Sequence, residues 1–139
     1  MKNYISYPIS YGLNKIGLPL IVVDVGEDES LCFLLDTGST QNMLEYKVIQ
    51  YFARDITLLG ETTIMGMEGI AKKSLTLMFS FNIQGKEYNT EFCMFEEKES
   101  FLSMQEKLGT PVHGILGSNF FIENKWIIDY NKMEVFYKE

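Results

Sequence analysis

The chain has one histidine, His113, and two cysteines, Cys32 and Cys93, among its 139 residues. A single imidazole excludes His-based metal clusters and paired histidine bases, and the cysteines lack the C-x-x-C spacing of zinc and redox sites. Neither G-x-S-x-G nor the phosphate-cradling G-x-x-x-x-G-K-[ST] occurs. Basic residues are few: 12 Lys and Arg against 19 Asp and Glu give a formal charge of −7. No basic stripe is present to displace counterions from phosphates, so nucleic acid is not an expected partner. No apolar run approaches membrane-spanning length, and "MKNYISYPISYGLNK" lacks the core of a signal peptide. No membrane contact is expected, and the cytoplasm is the expected location. Cys32 and Cys93 sit in apolar contexts and are expected to be buried free thiols, with one disulfide left open.

What is abundant is apolar and aromatic. Hydrophobic residues make up 46% and aromatics 14% of the chain, a globular composition. The length suggests one domain, residues 1–139, able to bury roughly two-thirds of its surface without staples. "GLPLIVVDV", "GEDES" and "LCFLL" predict strand, turn and strand. "QNMLEYKVIQYF" spaces Leu44, Val48, Ile49 and Phe52 for a short helix. "LLGETTI" and "IAKKSLTLMFSF" are two arms flanking "MGMEG", where Gly66 and Gly69 can supply the positive φ of a hairpin tip. "LTLMFSFNI" and "YNTEFCMF" flank a second turn at Gly85. "EEKESFLSMQEKLGTPV" predicts a solvated loop with a short helix, and "GSNFFIENK" a turn or helix. "WIIDY" and "EVFYKE" close the chain as a hairpin. The sum is mostly strands with two or three short helices, a compact β-barrel or sandwich.

Carboxylates and hydroxyls are what remain for chemistry, and one stretch concentrates them. In "FLLDTGST", Phe33 to Thr40, an apolar strand ends on Asp36, followed by Thr37, Gly38 and Ser39. A carboxylate there loses hydration unless nearby donors compensate, and two hydroxyls and unencumbered N–H groups are at hand. The bland alternative is an Asp that caps a helix or stabilises a turn, because D-T-G is good turn chemistry. A second stretch, "GILGSNFF", lies downstream, with two aliphatic residues and Gly117 ahead of a short helical segment.

Together, "FLLDTGS", "TTIMGMEGIA" and "GILGSNFF" resemble the retropepsin-like aspartic proteases, in particular their bacterial single-domain members. The family pattern is an apolar run, D-T-G-[AS], a Gly-tipped flap hairpin, and apolar-apolar-Gly before a helix. "WIIDYNKMEVFYKE" is similar to the family's terminal hairpin, whereas residues 1–17 match nothing in it. The resemblance implies an all-β, closed acid-protease barrel with one or two short helices and a flap hairpin, assembled as a two-fold homodimer. It implies an aspartic endopeptidase without metal or organic cofactor, acting on peptide or protein substrates. Asp36 would be catalytic, paired with Asp36 of a second subunit, since the chain holds a single D-T-G. Thr37 would bond across the dimer axis, Gly38 would admit substrate to the backbone, and Gly117 would let "ILG" pack behind the loop. Met65, Gly66, Met67, Glu68 and Gly69 would form the flap tip. Dimer contacts would run through the active-site loops, with the terminal strands as a further candidate.

Ser39 stands where many retroviral members have Ala. Its hydroxyl is expected to donate to the outer carboxylate oxygen and favour the charged form of the pair. Retroviral enzymes also carry acidic residues soon after D-T-G and an Arg after the later Gly. Here "STQN" and "GSN" offer no such ion pair. The function that competes with proteolysis is a non-catalytic peptide-binding or assembly module on the same fold, using strand addition. A monomer that assembles only transiently is a further alternative. His113 is expected to be a solvated or hydrogen-bonded loop histidine, and Phe120, Phe121 and Trp126 are expected to fill the core.

Overall fold

The structure is a computed structural model that describes residues 3–65, 69, 71–96 and 99–139. Its main feature is a mixed sheet of seven strands. These are β2 (Leu20–Val25), β3 (Glu29–Leu35), β4 (Met43–Glu45), β5 (Thr57–Met65), β6 (Ala71–Ile83), β7 (Lys86–Phe95) and β8 (Gly114–Leu116). Their spatial order is β2-β3-β8-β4-β7-β6-β5, and one further pair, Asp24↔Asn82, joins β2 to β6. A second sheet places β10 (Glu134–Lys138) between β1 (Tyr4–Pro8) and β9 (Ile127–Asp129).

Period-two burial explains the long strands. In β6, Leu77, Phe79, Phe81 and Ile83 are buried, while Met78, Ser80 and Asn82 between them are half-exposed. The turn into β7 has left-handed backbone at both Gln84 (φ 49°) and Gly85 (φ 83°). That conformation matches the right-handed twist of a two-residue hairpin. The inward faces meet in an aromatic core. Phe33 packs on Phe81 at 5.4 Å and Phe92 at 5.7 Å, and Trp126 stacks on Tyr137 at 4.9 Å. Phe120, Phe121 and Trp126 are all buried there.

The helix content departs from the one or two short helices expected. Four α-helices occur among the described residues: α1 (Ser10–Ile16), α2 (Tyr46–Tyr51), α3 (Glu99–Leu108) and α4 (Ser118–Asn124). The sequence hides α1 because it is short, has Gly12 in its interior and receives no side-chain cap at its N-terminus. Tertiary packing supports it instead. A Cβ at Gly12 would lie 2.3 Å from the Leu18 carbonyl oxygen, so only glycine allows the helix to sit this close. Gly17 ends the helix in the left-handed conformation at φ 74°. α3 lies against α1, and its Leu108 joins Leu20, Leu34 and Val112 in a second, smaller core.

Residues 1–17, unmatched by any motif, are thus integral where they are described. β1 pairs with β10 over five residues on each strand, from Tyr4↔Lys138 to Pro8↔Glu134. Ile9 is wholly buried in the main core. Replacing Ile9 with Ala is expected to cost about 2–5 kcal/mol. Urea unfolding should show this as a lower midpoint at unchanged slope, whereas a dispensable N-terminal segment would leave the midpoint where it was.

Candidate active site

The site grows from the ladder between β3 and β8, which run parallel with Phe33, Leu34 and Leu35 opposite Gly114, Ile115 and Leu116. Phe33, Leu34 and Leu35 are buried, so the strand approaches its end with no freedom to shift. The Asp36 N–H donates to the Leu116 carbonyl at 2.9 Å, and the chain then leaves the sheet. The Ser39 N–H closes the turn onto the Asp36 carbonyl at 3.1 Å. Within it, the Gly38 N–H donates to Asp36 Oδ1 at 3.0 Å. Asp36 is half-buried, while Thr37 and Gly38 are exposed.

The Gly38–Asp36 bond is one that a turn-forming Asp makes in any protein. What distinguishes Asp36 is its position, with a rigid strand behind it and two exposed residues ahead. Gly38 does not use left-handed backbone; its role is proximity, since a Cβ there would lie 3.2 Å from Asp36 Oδ1.

Ser39 departs from expectation. Its hydroxyl donates to the Gln41 carbonyl at 2.8 Å and not to the Asp36 carboxylate. A carbonyl two residues ahead is the nearer acceptor for a serine at this point of a turn. The hydroxyl therefore braces the loop, and the Asp36 carboxylate is served by the Gly38 backbone instead. Its proposed effect on acidity loses its physical basis.

Gly117 lies immediately behind the loop. An added Cβ would stand 2.4 Å from the Gln41 carbonyl oxygen and 2.7 Å from that of Ser39, both backbone atoms that cannot give way locally. The stretches "STQN" and "GSN", which lack the retroviral ion pair, are joined by neutral bonds. The Ser118 N–H donates to the Ser39 carbonyl at 2.7 Å, and the Asn119 N–H to the Thr40 carbonyl at 3.3 Å.

Asn42 is the residue that sequence reasoning missed. It is buried, and its Oδ1 accepts from the Gly117 N–H at 2.8 Å while its Nδ2 donates to the Glu91 carbonyl at 3.1 Å. Its own carbonyl accepts from the Cys93 N–H at 2.8 Å. One amide thus ties the segment after the turn to both β8 and β7. The available signal was an Asn leading directly into the apolar "MLE", where a polar side chain has to find partners on folding.

The expected flap falls on the ribbon of β5 and β6, paired from Thr57↔Met78 to Met65↔Ala71. Met65 ends β5, and Gly69 is exposed with φ 74°. Gly66, Met67 and Glu68 lie outside the described residues. Cys32 and Cys93 are free thiols, and burial pushes the Cys32 thiol up to about 11. His113 is hydrogen-bonded as expected, its Nδ1 accepting from the Cys32 N–H at 2.9 Å.

Among solved structures the chain is similar to a retropepsin-like aspartic protease from Rickettsia conorii. The two are 18% identical, with a TM-score of 0.58 over 96% of this chain and 91% of that one. It is also similar to the retroviral protease-like domain of Ddi1 from Leishmania major, at 11% identity and a TM-score of 0.51. That alignment covers 84% of this chain and 89% of the domain. No protein-family model and no curated protein sequence matches the chain. The fold is therefore retropepsin-like. Among the described residues, no helix is long and apolar enough to cross a membrane.

Two substitutions test the scaffold behind Asp36. Asn42→Ala is expected to destabilise the chain by about 1–3 kcal/mol, because the Gly117 N–H and the Glu91 carbonyl lose their partner. Gly117→Ala should cost at least about as much, since backbone must move to admit the methyl group. Denaturant unfolding measures both, and amide shifts of residues 36–41 should move in each variant.

Proposed function

We propose that the chain is an aspartic endopeptidase, active as a homodimer in which Asp36 of each subunit contributes to one catalytic pair. The observation that carries this reading is the Asp36 carboxylate itself. It stands at the end of a buried strand, one oxygen held by the Gly38 N–H, next to exposed backbone, on a retropepsin-like fold. A single chain has one such carboxylate, so a pair requires two copies related by a two-fold axis.

Two carboxylates about 3 Å apart do not both ionise, and share one proton, as is general for aspartic proteases. The ionised Asp36 takes a proton from a bound water as its oxygen adds to the scissile carbonyl carbon. The protonated Asp36 gives its proton to the carbonyl oxygen, and a neutral tetrahedral diol results. Collapse of the diol, with a proton delivered to the amide nitrogen, breaks the C–N bond and releases acid and amine. No metal or organic cofactor enters this sequence.

The surrounding residues take supporting roles. Thr37, exposed at the turn, reaches the partner's loop. Gly38 leaves room for the substrate backbone, Ser39 braces the loop through Gln41, and Gly117 fixes it from behind. The described ends of the β5–β6 ribbon, Met65 and Gly69, belong to the flap that would cover an extended peptide. β10 is flanked within the chain by β1 and β9, so terminal-strand contacts between subunits would use the outer edges of those two strands.

A non-catalytic peptide-binding module is favoured by one feature, the edge strand β5. Among the described residues only β6 pairs with it, and Thr57, Leu58 and Leu59 are exposed, an edge open to strand addition. Cleavage of a denatured protein mixture across mildly acidic pH separates the two readings. Wild type should cleave with a bell-shaped pH profile, losing activity when the pair gains a second proton or loses its only one. Asp36→Asn should lower the rate on the order of 10²- to 10⁴-fold with the dimer intact by sedimentation. An Asp36→Asn variant that cleaves as fast as wild type would falsify the assignment, and an inert wild type that binds peptides would favour the module.

A further inference from the structure

A cavity of about 820 Å³ opens between the start of β3, helix α2 and helix α3, within the range of small-ligand sites. Its lining contains no residue of the Asp36–Ser39 turn and does not include Gly117. Among the described residues its lining includes three acidic residues, Glu29, Glu45 and Glu106, and one basic residue, Lys47. His113 also lines it, its Nδ1 accepting a hydrogen bond from the Cys32 N–H.

Glu45 gives the cavity its chemistry. Its residue is only 5% exposed, yet among the described residues its carboxylate takes one protein hydrogen bond, from the Lys47 N–H to Oε2 at 2.9 Å. A carboxylate has about four acceptor positions, and the remaining ones of Glu45 are not sealed away, since its oxygens are not among the buried atoms left without a partner. The unused capacity belongs to the cavity that Glu45 lines. Leu31, Val48 and Phe52 provide an apolar floor, and Leu102, half-exposed, stands at the mouth.

We propose that this cavity binds a guanidinium or ammonium group carried on an aliphatic stem. The stem lies on the apolar floor while the cation meets Glu45, with Glu106 and Glu29 adding to the field. A guanidinium suits the site best, because its planar fork can engage a carboxylate through two hydrogen bonds. The same chemistry is presented by an arginine side chain within a peptide and by a free alkylguanidine. The site stands apart from the Asp36 turn and does not depend on the chain being a peptidase.

The test is an NMR titration of the full-length Asp36→Asn chain, which leaves peptide probes uncut. The probes are butylguanidinium, acetyl-Ala-Arg-Ala-amide, and the same peptide with norleucine for arginine. Both guanidinium probes should produce saturable shifts at Glu45, Lys47 and Leu102, and the norleucine peptide should not. Glu45→Gln keeps the hydrogen bond to Lys47 N–H, and Glu106→Gln changes only an exposed helix position. Each should weaken guanidinium binding, Glu45→Gln by roughly tenfold or more. Tighter binding of the arginine peptide than of butylguanidinium identifies a peptide as the source, and equal or weaker binding identifies a free organic cation. Absence of saturable shifts, shifts with the norleucine peptide of equal strength, or undiminished binding in both variants overturns the proposal.

Discussion

The amide of Asn42 joins β7 to the residue after β8, segments that the sequence keeps far apart, and so braces the stretch that follows the Asp36 turn. β3 ends at Leu35, β8 at Leu116, and β7 runs through Glu91. The Asp36 N–H to Leu116 bond continues the ladder of the first two, and the Ser118 and Asn119 N–H groups tie the turn to the start of α4. Asn42 adds a link to a third strand by holding the Gly117 N–H and the Glu91 carbonyl at once. Gly117 has to lack a side chain for the arrangement to close, because the Ser39 and Gln41 carbonyls occupy the space a Cβ would need. The absence of one carbon atom and the presence of one buried amide are therefore parts of a single constraint.

The local parts of this architecture were legible in the sequence, and the non-local parts were not. Hairpins such as β6–β7 announce themselves through alternation on both sides of a glycine turn, and Leu77, Phe79, Phe81 and Ile83 all point inward as that pattern requires. The parallel pairing of β3 with β8, and of β4 with β7, joins segments roughly fifty to eighty residues apart, and no local pattern encodes it. Helix α1 escaped notice for a related reason. Gly12 lowers its propensity, but the close approach to Leu18 that stabilises it is a tertiary fact.

At the site, the distinction runs between residue type and bond. That Asp36 ends a buried strand follows from "FLL" before it and the turn chemistry after it. Which donor serves its carboxylate does not follow, because Gly38 N–H and Ser39 Oγ were both within reach. Backbone geometry decided it, since closing the Asp36–Ser39 turn aims the Gly38 N–H at Oδ1 and leaves the Ser39 hydroxyl beside the Gln41 carbonyl. Asn42 was visible as a residue but not as a bridge, for its two partners become neighbours only when β7 and β8 flank β4.

The contrast between the two candidate sites has a physical origin. Asp36 is half-buried at the end of β3 with Thr37 and Gly38 exposed beyond it, so its carboxylate stands at the surface of the chain and not within an enclosed cavity. The cavity beside Glu45 is built by one chain alone, from α2, α3 and the first residues of β3. Glu45 lies at the far end of the short strand β4, whose other end is Met43, next to Asn42. The cavity and the Asn42 brace therefore lie at opposite ends of one strand. β4 is only three residues long and paired to both β7 and β8, so the two sites share one short strand that is held along both edges.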